Sequence, residues 1–266
     1  MQRSKVSRMV RSTVLALAIC LSIAGWMTEG SRAGVGTPGP ITGTSLLAFE
    51  HDKSEAAQAG EKKAEEAFKN IQVLKGIPAS QVMGAMTKIA SFLGTDCAHC
   101  HVVGEFDKDD KQPKQVARNM FKMVRTIGTE LSTNKVTCYT CHRGHVEPER
   151  MPDEMRAKAD EDNKKAEEDK RPVEEAFKNI QSLKGITAGR LMATMRGFTR
   201  SLGVDCNFCH VPGAFDKDDK ASKLTARKML AMTGVVAKEY FNGRNRIGCY
   251  MCHRGQKEPA SMPTPQ

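Results

Sequence analysis

Apolar side chains recur at helical spacing in four stretches of the chain. Val82, Met86, Ile89 and Leu93 lie 4, 3 and 4 residues apart, which predicts one apolar helix face. Leu191, Met195, Phe198 and Leu202 repeat that spacing. Gly94 and Gly203 follow directly, and glycine ends helices readily. A second pair of stripes runs through Val116, Met120, Met123, Val124, Ile127 and Leu131, and through Leu224, Met229, Met232, Val236 and Tyr240. No strand-like alternation of comparable length occurs, so the predicted fold class is mainly α. The earliest apolar run, from Val14 to Trp26, is of another kind. Arg3, Lys5, Arg8 and Arg11 precede it and small residues follow, the layout of an export signal. Residues 1–33 are therefore expected to be a signal peptide cleaved after Ala33, with Cys20 as part of it. The other reading of this run is an uncleaved anchor, which would associate the chain with the membrane.

Beyond the leader the chain repeats itself. Glu65 to Gln72 recurs as Glu174 to Gln181, and the segment Phe-Asp-Lys-Asp-Asp-Lys occurs at 106–111 and 215–220. The offset is 109 residues in both cases, and a fixed offset is the mark of tandem duplication. Two modules are expected, at 64–144 and 173–255. Residues 34–63 read as a flexible tether and 256–266 as a tail. Residues 145–172 are crowded with charge and hold three prolines, which predicts a solvated linker with a charged helix from about Asp153 to Lys170.

Composition narrows the chemistry. Only 14 of 266 residues are aromatic (Phe 10, Tyr 3, Trp 1), a thin core for this length. The formal charge of +10 falls to +6 once the leader's five basic residues and one acid are removed. No basic stripe interleaved with aromatics is present, so a nucleic-acid partner is not expected. The eight cysteines after the leader occupy four identical Cys-x-x-Cys-His frames: Cys97/Cys100/His101, Cys138/Cys141/His142, Cys206/Cys209/His210 and Cys249/Cys252/His253. This frame is the attachment signature of c-type haem. Two thiols add to the two vinyl groups of one porphyrin, and the adjacent histidine reaches the iron. Zinc would pair two frames but has no need of a histidine after each second cysteine. A disulfide framework would not need one either. Four covalent haems are therefore expected, two per module, with His101, His142, His210 and His253 as proximal ligands. Their macrocycles would supply the missing aromatic mass.

Each iron also needs a sixth ligand or an open site. Beyond the four proximal histidines only His51, His99 and His145 remain, too few for four bis-His haems. A Met-x-x-Met pair precedes every frame: Met83/Met86, Met120/Met123, Met192/Met195 and Met229/Met232. Residues three apart share a helix face, so one sulfur of each pair can face a haem while the other packs nearby. His/Met is a standard cytochrome coordination.

Met86-Thr-Lys-Ile-Ala-Ser-Phe-Leu leading into Cys97, and Arg118-Asn-Met120-Phe-Lys-Met123-Val leading into the frame at Cys138, resemble the haem-binding segments of the photosynthetic reaction-centre cytochrome c subunit family. The resemblance covers residues 64–144 and 173–255. It implies a helix packed beside each haem that supplies an axial methionine, and by it Met86, Met120, Met195 and Met229 are the distal ligands. Family members commonly carry one bis-His haem, but neither 131–137 nor 241–248 contains a histidine here. Either all four haems are His/Met or His145 supplies one ligand from elsewhere. The resemblance further implies outer-sphere electron transfer rather than enzymatic turnover. It implies a soluble cytochrome or copper-protein donor, and the photo-oxidised reaction-centre core as acceptor. Export places the chain in the periplasm or on the outer face of the cytoplasmic membrane. The competing expectations are a respiratory electron carrier unrelated to light and a multihaem reductase or peroxidase, which would require an exchangeable iron site. Two further features stay open at this level. The Phe-Asp-Lys-Asp-Asp-Lys segments read as charged surface loops without a calcium-binding pattern. Arg143 and Arg254 read as haem-propionate partners or as plain surface arginines.

Overall fold

The computed structural model describes residues 60–262. The expected signal peptide with Cys20, His51, nearly all of the expected tether and the end of the expected tail lie outside that range. Among the described residues the structure is helical, with only isolated β-bridges. The expected periodicities produce the long helices. In α2 (Gln81–Leu93), Val82, Ala85 and Ile89 are buried, and Gly94 ends the helix in the left-handed region at φ +60°. In α8 (Ala188–Leu202), Leu191 and Ala193 are buried, Thr187 Oγ1 caps the Arg190 N–H at 3.2 Å, and Gly203 ends the helix at φ +63°. The second stripes form α4 (Gln112–Leu131), with a proline in its first turn, and α10 (Ala221–Tyr240). Val116 and Leu224, expected on those stripes, are exposed. The buried positions near the start of α4 and α10 are instead Lys114, Arg118 and Lys223, because the loops at 106–111 and 215–220 wrap that side. One-turn helices α1 (Ala64–Ala67) and α7 (Val173–Ala176) open the two repeats.

The 109-residue repeat of sequence is also a repeat of contacts. Ala64 N–H donates to Ile77 O as Val173 N–H donates to Ile186 O. Gly76 N–H donates to Glu65 as Gly185 N–H donates to Glu174, each at 2.8 Å. The first repeat has its own core of Ala64, Leu74, Ile77, Val82 and Ala85. A second core joins the repeats: Met123 and Ile127 of α4 pack with Met232 and Val236 of α10 and with Ile247. Burying a large apolar side chain stabilises by about 1.5–3 kcal/mol, so this shared core makes the repeats one folding unit rather than beads. Thr126 Oγ1 and Tyr240 OH, 2.8 Å apart, join the same helices at its edge.

The charged helix expected within residues 145–172 is present, but it is docked on one face rather than solvated all round. Residues 153–166 form helix α6 (Asp153–Ala166), whose inner face is docked on α8. Asp162 is buried there between Arg196 and Arg200, paired to both. The backbones come so close that a Cβ at Gly189 would stand 2.2 Å from Ala166 O. Charge on the remaining faces gives the segment its linker-like composition. Two charged partners 34 and 38 residues away turn one face into a contact.

Candidate haem sites

Each Cys-x-x-Cys-His frame is a single helical turn: α3 (Cys97–Cys100), α5 (Cys138–His142), α9 (Cys206–Cys209) and α11 (Cys249–His253). The local sequence sets the turn. Asp96 Oδ1 accepts the His99 N–H at 3.1 Å, and Asp205 Oδ1 accepts the Phe208 N–H at 3.1 Å, so the first frame of each repeat has an aspartate N-cap. At the second frame of the first repeat, Thr137 N–H donates to Thr140 Oγ1 at 3.0 Å. Arg143 and Arg254 follow α5 and α11 at φ +49°, and Gly144 and Gly255 continue in the left-handed region at +86° and +76°. This double turn sends Gly144 N–H to Phe92 O and Gly255 N–H to Ser201 O, both at 2.8 Å. The end of the first long helix of each repeat is thereby tied to its second frame. Gly94 and Gly203 permit the approach, since a Cβ there would lie 2.0 and 2.1 Å from the Gly144 and Gly255 carbonyl oxygens.

The histidines of all four frames are oriented the same way. Nδ1 of His101, His142 and His210 faces the carbonyl of Phe106 (3.1 Å), His145 (3.0 Å) and Phe215 (3.0 Å). His253 Nδ1 faces the carbonyls of Gln256 and Lys257 at 3.2 and 3.0 Å. A carbonyl accepts only, so Nδ1 carries the proton and Nε2 keeps the lone pair a metal needs. Burial lowers the pKa of His253, which also favours the neutral ring. The Phe106 and Phe215 rings stand against the His101 and His210 rings, with centroids 5.6 and 5.4 Å apart. Histidine 145 contributes its carbonyl, and the residue itself is exposed.

The eight cysteines of the frames form no disulfide with one another, and burial would push the thiols of Cys100, Cys138, Cys209 and Cys249 up before any covalent attachment. Cys141 Sγ lies 3.1 Å from Cys252 Sγ. The contact is the centre of a reciprocal pairing of α5 with α11. Arg143 Nη2 donates to Cys252 O at 2.8 Å, and Arg254 Nη2 donates to Cys141 O at 3.0 Å. Arg254 Nη1 also pairs with Glu149 at 2.6 Å. These arginines therefore cross between the repeats and are not plain surface residues. The Nε of each is buried without a partner, a donor left for a further acceptor such as a carboxylate. The second and fourth frames thus meet at the junction of the repeats.

The methionine pairs divide by environment. Met86 lines an open cleft together with Cys97, Cys100, His101, Phe106 and Phe121, whereas Met83 is 65% exposed. A Met thioether, a histidine and two thiols on one mostly apolar cleft are the donor set a covalently held haem requires, so these residues fit it. In the second repeat Met195 is half-buried and Met192 is exposed. Met123 and Met232, each 8% exposed, belong to the core between the repeats, and Met120 and Met229 pack against that core while keeping partial exposure. Among the described residues no group of three or more His, Cys, Asp or Glu converges as a metal cluster would.

One set of site residues escaped the sequence patterns. The loop at 106–111 read as a charged surface loop, yet it carries the carbonyl that orients His101. Its Asp109 bonds Asn70, Lys114 and Arg118, and Asp218 bonds Asn179, Lys223 and Arg227 in the same way. The recurrence of the loop 109 residues later was the available signal.

The sequence model of the family described as "Photosynthetic reaction centre cytochrome C subunit" matches the chain twice, over residues 44–165 and 152–264. The chain is 24% identical over 256 residues to the photosynthetic reaction center cytochrome c subunit of Thermochromatium tepidum, covering 77% of this chain and 63% of that protein. The corresponding subunit of Rubrivivax gelatinosus is 24% identical over 250 residues, covering 74% and 68%. Cytochrome c-554 of Chloroflexus aurantiacus is 35% identical over 81 residues, 27% of this chain and 20% of that protein. The chain thus spans a little under two thirds of the length of the first of these relatives.

Proposed function

Because the chain belongs to the photosynthetic reaction-centre cytochrome c subunit family, we propose that it is a tetrahaem electron carrier of two tandem dihaem modules, working by outer-sphere transfer at the periplasmic face of the membrane. The observation that carries this proposal is the set of four Cys-x-x-Cys-His turns, each with its histidine held as the Nδ1–H tautomer by a backbone carbonyl. Cys97/Cys100, Cys138/Cys141, Cys206/Cys209 and Cys249/Cys252 would hold the haems covalently. His101, His142, His210 and His253 would bind the irons from one side, and Met86, Met120, Met195 and Met229 from the other. Bound c-type haem supplies a one-electron ferric/ferrous couple. The protein's part is to keep both ligands in place in each oxidation state and to exclude water. The bonds of Arg143 and Arg254 between α5 and α11 support the second and fourth frames as the crossing point of the proposed route from one repeat to the other. The buried Arg143 and Arg254 would set the local charge there and offer Nε to a propionate.

The donor we propose is a soluble cytochrome or copper protein, and the acceptor a photo-oxidised reaction-centre core. Among the described residues no helix is long and apolar enough to cross a membrane. Electron paramagnetic resonance of the ferric protein tests the carrier role. Four low-spin centres are expected, while a high-spin centre would favour a reductase or peroxidase. Flash excitation of a purified reaction-centre core mixed with the ferrous protein tests the acceptor. Re-reduction of the oxidised pigment is expected, and failure with all haems intact would move the protein to a respiratory chain unrelated to light.

A further inference from the structure

Lys114 and Lys223 are buried ammonium groups at the end of highly charged stretches of the chain, each 8% exposed. Every donor of Lys114 Nζ is used: Phe106 O at 2.9 Å, Lys108 O at 2.6 Å and Asp109 Oδ1 at 3.1 Å. Lys223 Nζ repeats the arrangement with Phe215 O at 2.9 Å, Lys217 O at 2.7 Å and Asp218 Oδ1 at 3.1 Å. The Phe106 and Phe215 carbonyls are the same two that accept His101 Nδ1–H and His210 Nδ1–H. Each carbonyl thus shares its two lone pairs between a cation and a proximal histidine.

We propose that Lys114 and Lys223 are positioning residues that raise the reduction potential of the first haem in each module by weakening the hydrogen bond that backs its histidine ligand. This rests on His101 and His210 being iron ligands, as proposed above. A hydrogen bond from Nδ1–H to a strong acceptor makes the imidazole more basic and a better donor to ferric iron. An ammonium on the same oxygen withdraws its electron density, so the imidazole donates less and the ferric state loses support. The positive charge close to the ring opposes ferric iron directly as well. Both effects have the same sign. Asp109 and Asp218 partly neutralise the ammonium and hold it on the carbonyl, and Arg118 and Arg227 restore a net positive cluster.

The test is a spectroelectrochemical titration of the full-length, haem-loaded protein. In Lys114→Met one of the four couples should fall, with about a tenfold lower ferrous-to-ferric ratio at fixed ambient potential, about 59 mV for one electron. Lys223→Met should move a different couple by a similar amount, and Lys114→Arg should restore the first. In Lys114→Met the His101 Nδ1–H proton resonance of the ferrous protein should move downfield, since its hydrogen bond strengthens. Asp109→Asn keeps the lysine but removes its counter-charge, so the same couple should rise. A merely structural loosening would move Lys114→Met and Asp109→Asn in one direction, and that result overturns the proposal. Unmoved midpoints overturn it too. If Lys114→Met does not fold, Asp109→Asn carries the test, and a fall or no change there is the refuting result. A haem count below four in the unsubstituted protein refutes the haem assignment itself, whereas four haems with unmoved couples refute this inference alone.

Discussion

Replacing Gly94 by alanine should cost far more than its size suggests. The position has φ +60°, which an L-residue pays about 1–2 kcal/mol to adopt. The new methyl group would also stand 2.0 Å from Gly144 O and 2.8 Å from Gly144 C, where real contacts stay beyond 3.0 Å. The Gly144 carbonyl must retreat by about 1 Å, and the Gly144 N–H to Phe92 O bond of 2.8 Å goes with it. Losing that bond adds about 0.5–1.5 kcal/mol, and residual crowding adds about 1 kcal/mol or more. The sum is about 3 kcal/mol, or a fall of roughly 6–12 °C in Tm for a chain of this size. Gly76→Ala is the matched control: φ is +87° and nothing lies within 4 Å of the added carbon, so only the backbone strain of about 1–2 kcal/mol applies. Calorimetry of the haem-loaded variants measures both. Gly203→Ala, 2.1 Å from Gly255 O, should behave like Gly94→Ala. If Gly94→Ala melts no lower than Gly76→Ala, the helix end is not locked to the second frame and the packing described for the site is wrong.

Asp162→Asn removes the charge that pairs with Arg196 and Arg200, and breaking a buried pair costs about 3–5 kcal/mol, less here because Arg196 is partly exposed. Limited proteolysis within 145–172 should quicken several-fold, and an unchanged rate would mean that α6 is held by other contacts. Met120→Leu keeps volume, costing less than about 1.5 kcal/mol. It should nevertheless open one iron and lower that haem's potential, because a thioether favours ferrous iron. Met123→Leu, in the core between the repeats, should leave the far-red methionine–iron absorption intact, and the opposite pattern would shift the ligand assignment by three residues. The carboxyls of Asp109 and Asp218 are held well below the usual carboxylate range, first by Arg118 and Arg227. Their ionised form therefore stabilises the fold above the unfolded value of about 3.9, and that contribution is lost as pH falls below it. Asp109→Asn should lose less stability than the wild type between about pH 4 and 2 in an acid titration, and an identical acid profile would contradict the assigned pairing.

The long helices were legible because their cores are apolar and periodic. Val82 and Ile89 are buried at helical spacing, and Gly94 takes the left-handed φ that glycine tolerates. The frames were legible because covalent chemistry fixes their residue types. What escaped was burial of charge. Lys114, Arg118 and Lys223 sit in a highly charged stretch, and no pattern of hydropathy distinguishes a lysine wrapped by carbonyls from one in water. The docking of α6 escaped for a related reason, since Asp162 finds its partners in α8 rather than at helical spacing on its own helix. The pairing of α5 with α11 depends on residues 109 to 113 apart, and the duplication told of two copies without telling how they face each other.

Everything proposed for this protein depends on each of the four frames holding a haem. Mass spectrometry of the purified protein, joined to a pyridine haemochrome assay for haem per chain, measures this. Four covalently attached haems are expected, with no free thiol at Cys97, Cys100, Cys138, Cys141, Cys206, Cys209, Cys249 or Cys252. A protein carrying two or three haems, with reactive thiols at any frame, would contradict it.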